Sequence, residues 1–314
     1  MMTHGALDNP LVSVIIPCYQ AKDYVERSIQ SAFGQSYQPI EVIVVDDGST
    51  DGSLELLAQL RRDRFPALKV LTHENRINLG VSATRHRGLQ AAAGEYIALL
   101  DADDEFEPDK LEKQMAVLVS NPSIIMCHTA ASIIGDQTNA PDVQKEFTRY
   151  PDQPYRIRQL KGYLKQNGIC TSSVVVRTEA LRRVPFATPQ LFQYEDWMCW
   201  VLLGAYGKFI LLNEQLTRYR VHSSSSTASV HGNPLKGYYS TLEFKLAVAA
   251  RSESSIHCLR CVLSAGISLA KIVGAYLVRP GYPAIDSGYR LNLLSKVALR
   301  VFRAVQRARN TSVR

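Results

Sequence analysis

Three carboxylates follow an apolar segment of strand length within residues 95–104. Asp101, Asp103 and Asp104 come at its end, and Ala102 separates the first two. If the chain stays extended there, Asp101 and Asp103 point the same way and Ala102 is turned aside. Two carboxylates at this spacing repel each other unless a cation or a shared proton relieves them. The spacing therefore favours a site for Mg²⁺ or Mn²⁺, and a solvated acidic loop is the simpler alternative.

The segments before these carboxylates must position them, and they alternate between strand and helix patterns. β-branched runs end at Pro17 and at Asp46, and segments with helical spacing of apolar residues follow each run. This alternation predicts an α/β fold with a parallel sheet and right-handed crossovers. Ligands of such sheets bind beyond the carboxyl ends of the strands. Residues 17–19, 46–49 and 101–103 are therefore expected to meet at one edge.

Two later segments carry further candidate chemistry. Glu195 and Asp196 open an apolar segment of helical character, where a carboxylate can serve as a general base or complement the helix dipole. His222 follows Arg220 in a polar segment and is a candidate metal ligand, although a lone histidine is more often structural or solvated. The residues alone leave both pairs of alternatives open.

Four motifs in this order resemble those of the nucleotide-sugar domain of family 2 glycosyltransferases, which have the GT-A fold. They are residues 13–20, residues 45–51, residues 78–80 with Arg85, and residues 101–104. The resemblance covers about residues 11–225. It implies an inverting transfer of a sugar from a nucleoside diphosphate donor, by default UDP, in bacterial polysaccharide or other glycan biosynthesis. A divalent ion, Mn²⁺ or Mg²⁺, would neutralise the departing diphosphate.

The resemblance also implies roles for individual side chains. The residues expected to bind the nucleotide-sugar are Pro17, Tyr19, Asp47, Arg76, Arg85, Asp101, Ala102 and Asp103. The residues expected to bind the metal are Asp103, Asp101 and His222. Asp196 is expected to be the general base, with Glu195 as an acceptor-side or orienting partner. For Arg76 and Arg85 a solvated surface charge is the alternative.

One segment departs from a related pattern. Residues 215–219 nearly match the Gln-x-x-Arg-Trp signature of processive polysaccharide synthases, but Tyr219 stands where that signature has tryptophan. The multiple spanning helices that accompany the signature are also missing from the sequence. We therefore expect single-sugar, non-processive transfer to a glycan or lipid-linked acceptor. The polar segment 135–154 is expected to face that acceptor.

Two other functions remain open from the sequence. A nucleotidyltransferase that makes nucleotide-sugars would share the sheet and the carboxylates, but it should carry a Gly-rich phosphate loop after the first strand. Residues 17–22 do not form such a loop. A non-catalytic sugar-nucleotide-binding protein associated with a membrane is the second alternative, and intact Asp103 and Asp196 argue against it.

The pattern along the 314 residues predicts three regions. Residues 1–10 form a polar tail. Residues 11–230 form the GT-A domain, with a nucleotide-binding half at 11–110 and an acceptor half at 111–230. Residues 231–314 form a helical C-terminal extension. The composition, 46% hydrophobic and 21% charged, is that of a globular protein rather than a disordered one.

The net charge of +7 is concentrated at the C-terminus, where residues 256–314 carry ten Lys or Arg and one acid. Residues 291–309 follow a basic amphipathic helical pattern, which suits an anionic membrane surface or a helix docked on the domain. The polar N-terminus and six scattered cysteines favour a cytoplasmic protein with reduced thiols, at the inner face of the cell membrane if the helix binds lipid. Nucleic acid is not expected as a partner.

Overall fold

The computed structural model describes residues 9–136, 155–158, 167–184 and 195–222. The strands are β1 (Val12–Cys18), β2 (Ile40–Asp46), β3 (Lys69–Thr72), β4 (Tyr96–Leu99), β5 (Glu105–Phe106), β6 (Ile124–Gly135), β7 (Tyr155–Arg158), β8 (Val175–Arg177) and β9 (Lys208–Val221). The α-helices are α1 (Val25–Phe33), α2 (Ser53–Asp63), α3 (Val81–Ala91), α4 (Lys110–Ser120), α5 (Thr178–Arg182) and α6 (Glu195–Leu203).

The described strands form one sheet in the order β3-β2-β1-β4-β8-β6-β9-β5, and β7 pairs with β9. Strands β1 to β4 pair only in parallel with one another, as their alternation with helices predicts. Beyond β4 the sheet is mixed, because β8 is antiparallel to β4 and β6, and β9 is parallel to β6 but antiparallel to β5 and β7. The α/β class is therefore confirmed, with parallel pairing concentrated in the N-terminal half.

Helices cover β1 on both faces, and the period of two along the strand explains how. Val14 and Ile16 belong to the same core cluster as Val25 and Ile29 of α1. Ile15 points the other way and meets α3, where a Cβ at Gly88 would lie 2.5 Å from the Ile15 side chain. A strand buried on both faces must be apolar throughout, which is why β1 is a continuous β-branched run.

Strand β9 completes the sheet, and the sequence patterns did not predict it. It runs beside β6 over most of its length and reaches β5 at its end, where Arg218 pairs with Glu105 and Thr217 with Phe106. Short strands β5 and β7 were also not predicted, since two to four residues carry little periodicity. The consequence for the site is that β9 delivers Arg220 and His222 next to the acidic segment after β4.

The chain divides into two compact units, Met1–Pro189 with Leu203–Ser223, and Gln190–Leu202 with Ser224–Arg314. The first contains the sheet, and α6 is in the second up to Leu202. Within the described residues, no helix combines the length and the apolar character needed to cross a bilayer. The acceptor-facing loop predicted at 135–154 lies outside the described residues except at its first two positions, and the C-terminal extension at 231–314 lies wholly outside them.

Candidate active site

The loops after β1 and β2 are joined by hydrogen bonds at the carboxyl edge of the parallel strands. The Asp47 amide donates to the Cys18 carbonyl at 2.8 Å. The Gln20 side-chain oxygen accepts from the amides of Thr50 at 2.8 Å and Asp51 at 3.1 Å. The first two predicted strand ends therefore form one continuous rim, as expected for a ligand edge of such a sheet.

Asp47 holds a neighbouring segment of backbone. Its carboxylate accepts from the Leu79 amide at 2.7 Å and the Gly80 amide at 2.9 Å, and His73 Nε2 lies 3.4 Å from Oδ1. The side chain is almost fully buried. Both oxygens are thus already used to fix residues 77–80 at the start of α3. Recognition of the base by Asp47 stays a prediction, and its role in positioning residues 77–80 was not predicted from the sequence.

The turn at Gly48 requires a residue without a side chain. Its φ is +75°, and a Cβ there would lie 2.6 Å from the Arg76 carbonyl oxygen. The close approach brings residues 76–78 against the loop after β2. Arg76 itself has φ +52° and an exposed side chain, so its predicted contact with the nucleotide also stays a prediction.

The acidic segment after β4 is a tight turn and not an extended chain. The Asp104 amide donates to the Asp101 carbonyl at 3.1 Å, which closes the turn. Asp101 Oδ1 accepts from Arg85 at 2.7 Å, and Asp103 Oδ2 lies 3.0 Å from His222 Nε2. The expectation that Asp101 and Asp103 point the same way is therefore wrong, because the turn directs each carboxylate to a different partner.

Asp104 anchors this turn in the interior. It is fully buried, and its carboxylate accepts from the Ser172 hydroxyl at 2.5 Å and from the Arg220 amide at 2.8 Å. Burial and the carboxylates of Asp103 and Asp101 raise the pKa of Asp104, and the two hydrogen bonds oppose that shift. Ser172 also accepts from the Asp101 amide at 3.0 Å, so one hydroxyl contacts both ends of the turn.

Arg220 connects β9 to the same turn. Its Nε donates to the Asp103 carbonyl at 2.9 Å, and its guanidinium also pairs with Glu105. His222 stacks on the ring of Tyr24, with the ring centroids 4.8 Å apart and an interplanar angle of 24°. Roles for Tyr24, Ser172 and Glu105 were not predicted from the sequence. No sequence signal marks them, since their partners lie far away along the chain.

The other residues predicted to bind the nucleotide-sugar lie at the rim of the same edge. Pro17 is in β1 opposite Val45 and is partly buried. Tyr19 follows β1 with 52% of its surface exposed, and Ala102 is buried inside the acidic turn. An exposed aromatic ring at this position is available to a ligand, while Ala102 can offer a ligand only its backbone.

The predicted metal ligands are brought together in part. Asp103 and His222 come together, and a carboxylate oxygen with an imidazole nitrogen is a donor set that Mn²⁺ accepts. Asp101 is turned toward Arg85 instead. In the described part of the chain, no group of three potential ligands is already assembled. Two protein ligands fit an ion that keeps open positions for the phosphates of a substrate.

Glu195 and Asp196 occupy the first turn of α6, in the second unit. Asp196 Oδ1 accepts from the Trp197 amide at 2.6 Å. Both carboxylates lie where negative charge complements the helix dipole. Both side chains are partly exposed, whereas Trp200 in the same helix is fully buried. The first turn of α6 thus presents two carboxylates on an otherwise apolar helix.

Comparisons with known proteins identify the family. The model of glycosyl transferase family 2 matches residues 13–184. A putative teichuronic acid biosynthesis glycosyltransferase of Bacillus subtilis is 31% identical over 225 residues, which are 70% of this chain and 82% of that protein. An uncharacterized glycosyltransferase of Haemophilus influenzae is 30% identical over 234 residues, 71% of this chain and 69% of the relative.

Solved structures share the fold at lower identity. S. aureus TarS 1–349 in complex with UDP-GlcNAc superposes with a TM-score of 0.61 at 18% identity, over 92% of this chain and 81% of that one. Mannosyltransferase PcManGT from Pyrobaculum calidifontis, in complex with GDP-Man and Mn²⁺, gives a TM-score of 0.57 at 16% identity, over 98% and 88% of the two chains. The predicted GT-A fold is confirmed, and the chain belongs to glycosyl transferase family 2.

Proposed function

We propose that this chain is an inverting, non-processive glycosyltransferase that moves a hexose or N-acetylhexosamine from a UDP-sugar to a hydroxyl of a glycan or lipid-linked acceptor. The observation that carries the proposal is the pairing of Asp103 with His222 at the carboxyl edge of the parallel strands, beside Asp101 held by Arg85. The solved neighbours support the donor class, since TarS binds UDP and UDP-GlcNAc, and PcManGT binds GDP-Man with Mn²⁺.

Asp103 and His222 would hold a divalent ion, Mn²⁺ or Mg²⁺. Such an ion supplies positive charge that stabilises the departing diphosphate. Asp101 would contact the ribose or the metal ion, and its pairing with Arg85 leaves less negative charge next to the phosphates. The family assignment favours this reaction over nucleotidyl transfer, which the sequence alone left open.

The donor would lie along the rim formed by the loops after β1 and β2. Tyr19 would pack on the nucleoside, Pro17 would shape the same pocket, and Asp47 would face the base while holding residues 77–80. Arg76 would reach the nucleotide from the adjoining turn. The exposed ring of Tyr19 and the exposed side chain of Arg76 support these roles.

Asp196 would act as the general base and Glu195 as its orienting partner. The acceptor oxygen forms a bond to the anomeric carbon while the bond from that carbon to the diphosphate breaks, which inverts the configuration. The acceptor proton goes to the Asp196 carboxylate, and the electron pair of the broken bond leaves with the diphosphate. The partly exposed position of both carboxylates at the start of α6 supports this assignment.

Calorimetric titration with UDP, GDP and their sugars, with Mn²⁺, with Mg²⁺ and with a chelator, tests the donor site. We expect UDP binding that requires the ion. Failure of every nucleotide to bind would contradict the proposal. Binding without turnover on glycan and lipid-linked acceptors would favour the non-catalytic alternative, and release of pyrophosphate from a nucleoside triphosphate plus sugar phosphate would favour nucleotidyl transfer.

The C-terminal amphipathic segment at 291–309 would attach the enzyme to the inner face of the cell membrane, where a lipid-linked acceptor is presented. Its basic stripe and opposed apolar positions in the sequence support this role. Replacement of Lys296, Arg300, Arg303 and Arg307 by glutamine in the full chain should abolish binding to vesicles containing anionic lipid. Unchanged vesicle binding would show that this segment is not the anchor.

A further inference from the structure

We propose that Tyr24 is a positioning residue for His222, so that its ring holds the histidine against Asp103 at the proposed metal site. The inference rests on the proposed function, because it concerns how that site is kept in shape. Tyr24 is the residue just before α1, in the first βα connection of the chain. His222 comes directly after the last residue of β9. The contact therefore joins the start of α1 to the end of β9.

His222 lies one residue beyond the end of β9. β9 ends at Val221, whose carbonyl accepts from the Asp136 amide at 3.0 Å. The histidine side chain beyond it is 19% exposed, and Asp103 opposite it is 30% exposed. A hydrogen bond between two partly solvated side chains competes with water and contributes little rigidity. The stacked ring of Tyr24, with centroids 4.8 Å apart, supplies an orientation that solvent does not replace.

Arg220 strengthens this arrangement from the same side of the chain. In an extended segment, residues two apart point the same way, so Arg220 and His222 both reach Tyr24. The Arg220 guanidinium carbon lies 5.5 Å from the centre of the Tyr24 ring. Its Nε donates to the Asp103 carbonyl, and its other end pairs with Glu105. Tyr24 thus contacts two residues that bind the acidic turn. Arg220 binds the Asp103 carbonyl and the Asp104 carboxylate, and His222 binds the Asp103 carboxylate.

This arrangement has a chemical purpose at a metal site. A ligating histidine needs its ring orientation fixed by an outer partner, and loss of such partners typically lowers metal affinity by about 10- to 100-fold. Carboxylates and backbone carbonyls usually play that part. Here an aromatic ring does so, and it is itself fixed at the N-terminal end of α1, where the Tyr24 amide donates to the Ala21 carbonyl at 3.0 Å.

The experiment measures Mn²⁺ affinity of the full chain by electron paramagnetic resonance, with and without saturating UDP. Tyr24→Leu should weaken Mn²⁺ binding by about tenfold. Tyr24→Phe keeps the ring and should stay within about twofold of the wild type. Tyr206→Leu is the matched control, because Tyr206 also lies beneath an arginine, Arg183, at 5.9 Å and takes part in none of the site contacts described above.

A double-mutant cycle separates positioning from general damage. In a His222→Gln background, Tyr24→Leu should lower Mn²⁺ affinity by less than about a further twofold, because the side chain that Tyr24 positions is gone. An equal loss in both backgrounds would overturn the inference, as would unchanged affinity of Tyr24→Leu. Absence of Mn²⁺ binding by the wild type would overturn the proposed function together with the inference. If the wild type binds Mn²⁺ and Tyr24→Leu binds it equally well, the inference is overturned and the proposed function is not.

Discussion

Arg85 Nη2 lies 2.7 Å from Asp101 Oδ1, and this bond links α3 to the acidic turn after β4. Arg85 is almost fully buried, while Asp101 retains partial access to solvent. The pair therefore neutralises one carboxylate of the turn from inside the protein and leaves Asp103 to face His222. Two chemically similar aspartates thus have different surroundings, which the spacing of two residues did not predict.

Removal of Arg85 should destabilise the fold because it leaves Asp101 without this buried partner. We expect Arg85→Met to lower the free energy of unfolding by about 2–4 kcal/mol, measured by urea denaturation. The double variant Arg85→Met with Asp101→Asn should recover part of that loss, since the Asp101 charge is removed together with the Arg85 charge that offsets it. Additive losses in the double variant would argue that the pair carries no coupling energy.

Asp103→Asn should abolish the dependence of UDP binding on a divalent ion. The amide cannot supply the anionic oxygen that a hard cation requires, so we expect Mn²⁺-supported UDP affinity to fall at least about tenfold in calorimetry. Asp63→Asn is the control, because Asp63 is an exposed aspartate that pairs with its neighbour Arg62. Identical metal dependence in Asp103→Asn and wild type would contradict the assignment of Asp103.

Asp196→Asn should separate chemistry from donor binding. If Asp196 takes the acceptor proton, its amide variant should transfer sugar about 100-fold more slowly or worse, while UDP affinity stays near that of wild type. The measurement pairs a turnover assay with titration of UDP in the same buffer. A parallel loss of donor binding would indicate that α6 has lost its structure, and full activity would exclude Asp196 as the base.

Gly48→Ala should destabilise the protein more than Gly52→Ala, which lies just before α2. Both glycines have positive φ, +75° and +92°, so alanine carries a backbone cost of about 1 kcal/mol at either position. At Gly48 the new Cβ would also lie 2.6 Å from the Arg76 carbonyl oxygen, whereas at Gly52 the nearest atom is the end of the flexible Lys22 side chain at 3.3 Å. Urea denaturation should show the larger loss for Gly48→Ala, and equal losses would contradict the clash.

Lys110 should make stability depend on pH. It is fully buried, donates to Gln114 Oε1 at 2.7 Å, and its ammonium lies 4.0 Å from the centre of the Phe106 ring. Burial lowers the pKa of Lys110 from 10.5 to about 7, and the nearby thiols of Cys127 and Cys170 oppose that shift. Because the unfolded chain binds this proton more tightly, the resulting penalty is fully present below pH 7 and fades as pH rises toward 10.5.

Lys110→Met should remove this dependence. Between pH 6.5 and 8.5 the wild type should gain about 2 kcal/mol of unfolding free energy relative to Lys110→Met, whatever the constant cost of the substitution. Burial raises the pKa of the Cys127 thiol to about 12, and the charge of Lys110 lowers that pKa, so its removal would raise it further. The folded thiol therefore stays protonated between pH 6.5 and 8.5 in both proteins, and its effect cancels in the comparison. Parallel stability curves for wild type and variant would show that Lys110 does not titrate in this range.

The parallel half of the sheet could be predicted because its signals are local. The run at β1 is buried on both faces and the apolar residues of α1 recur at helical spacing, so neighbouring residues suffice to define each element. The ends of β1, β2 and β4 then follow from the rule that parallel strands point the same way. Asp47, Asp101 and Asp103 were located at the correct edge on that basis alone.

The tertiary structure determines which side chains of the site contact each other. Asp103 meets His222, Asp104 meets Ser172 and the Arg220 amide, and Tyr24 stacks on His222, all across long stretches of chain. The sequence determined which side chains reach the edge, since periodicity and turn residues act between near neighbours. Only the packing of β9 against β5 and β6 decided which carboxylate each partner meets, because a register between distant strands is set by the whole core.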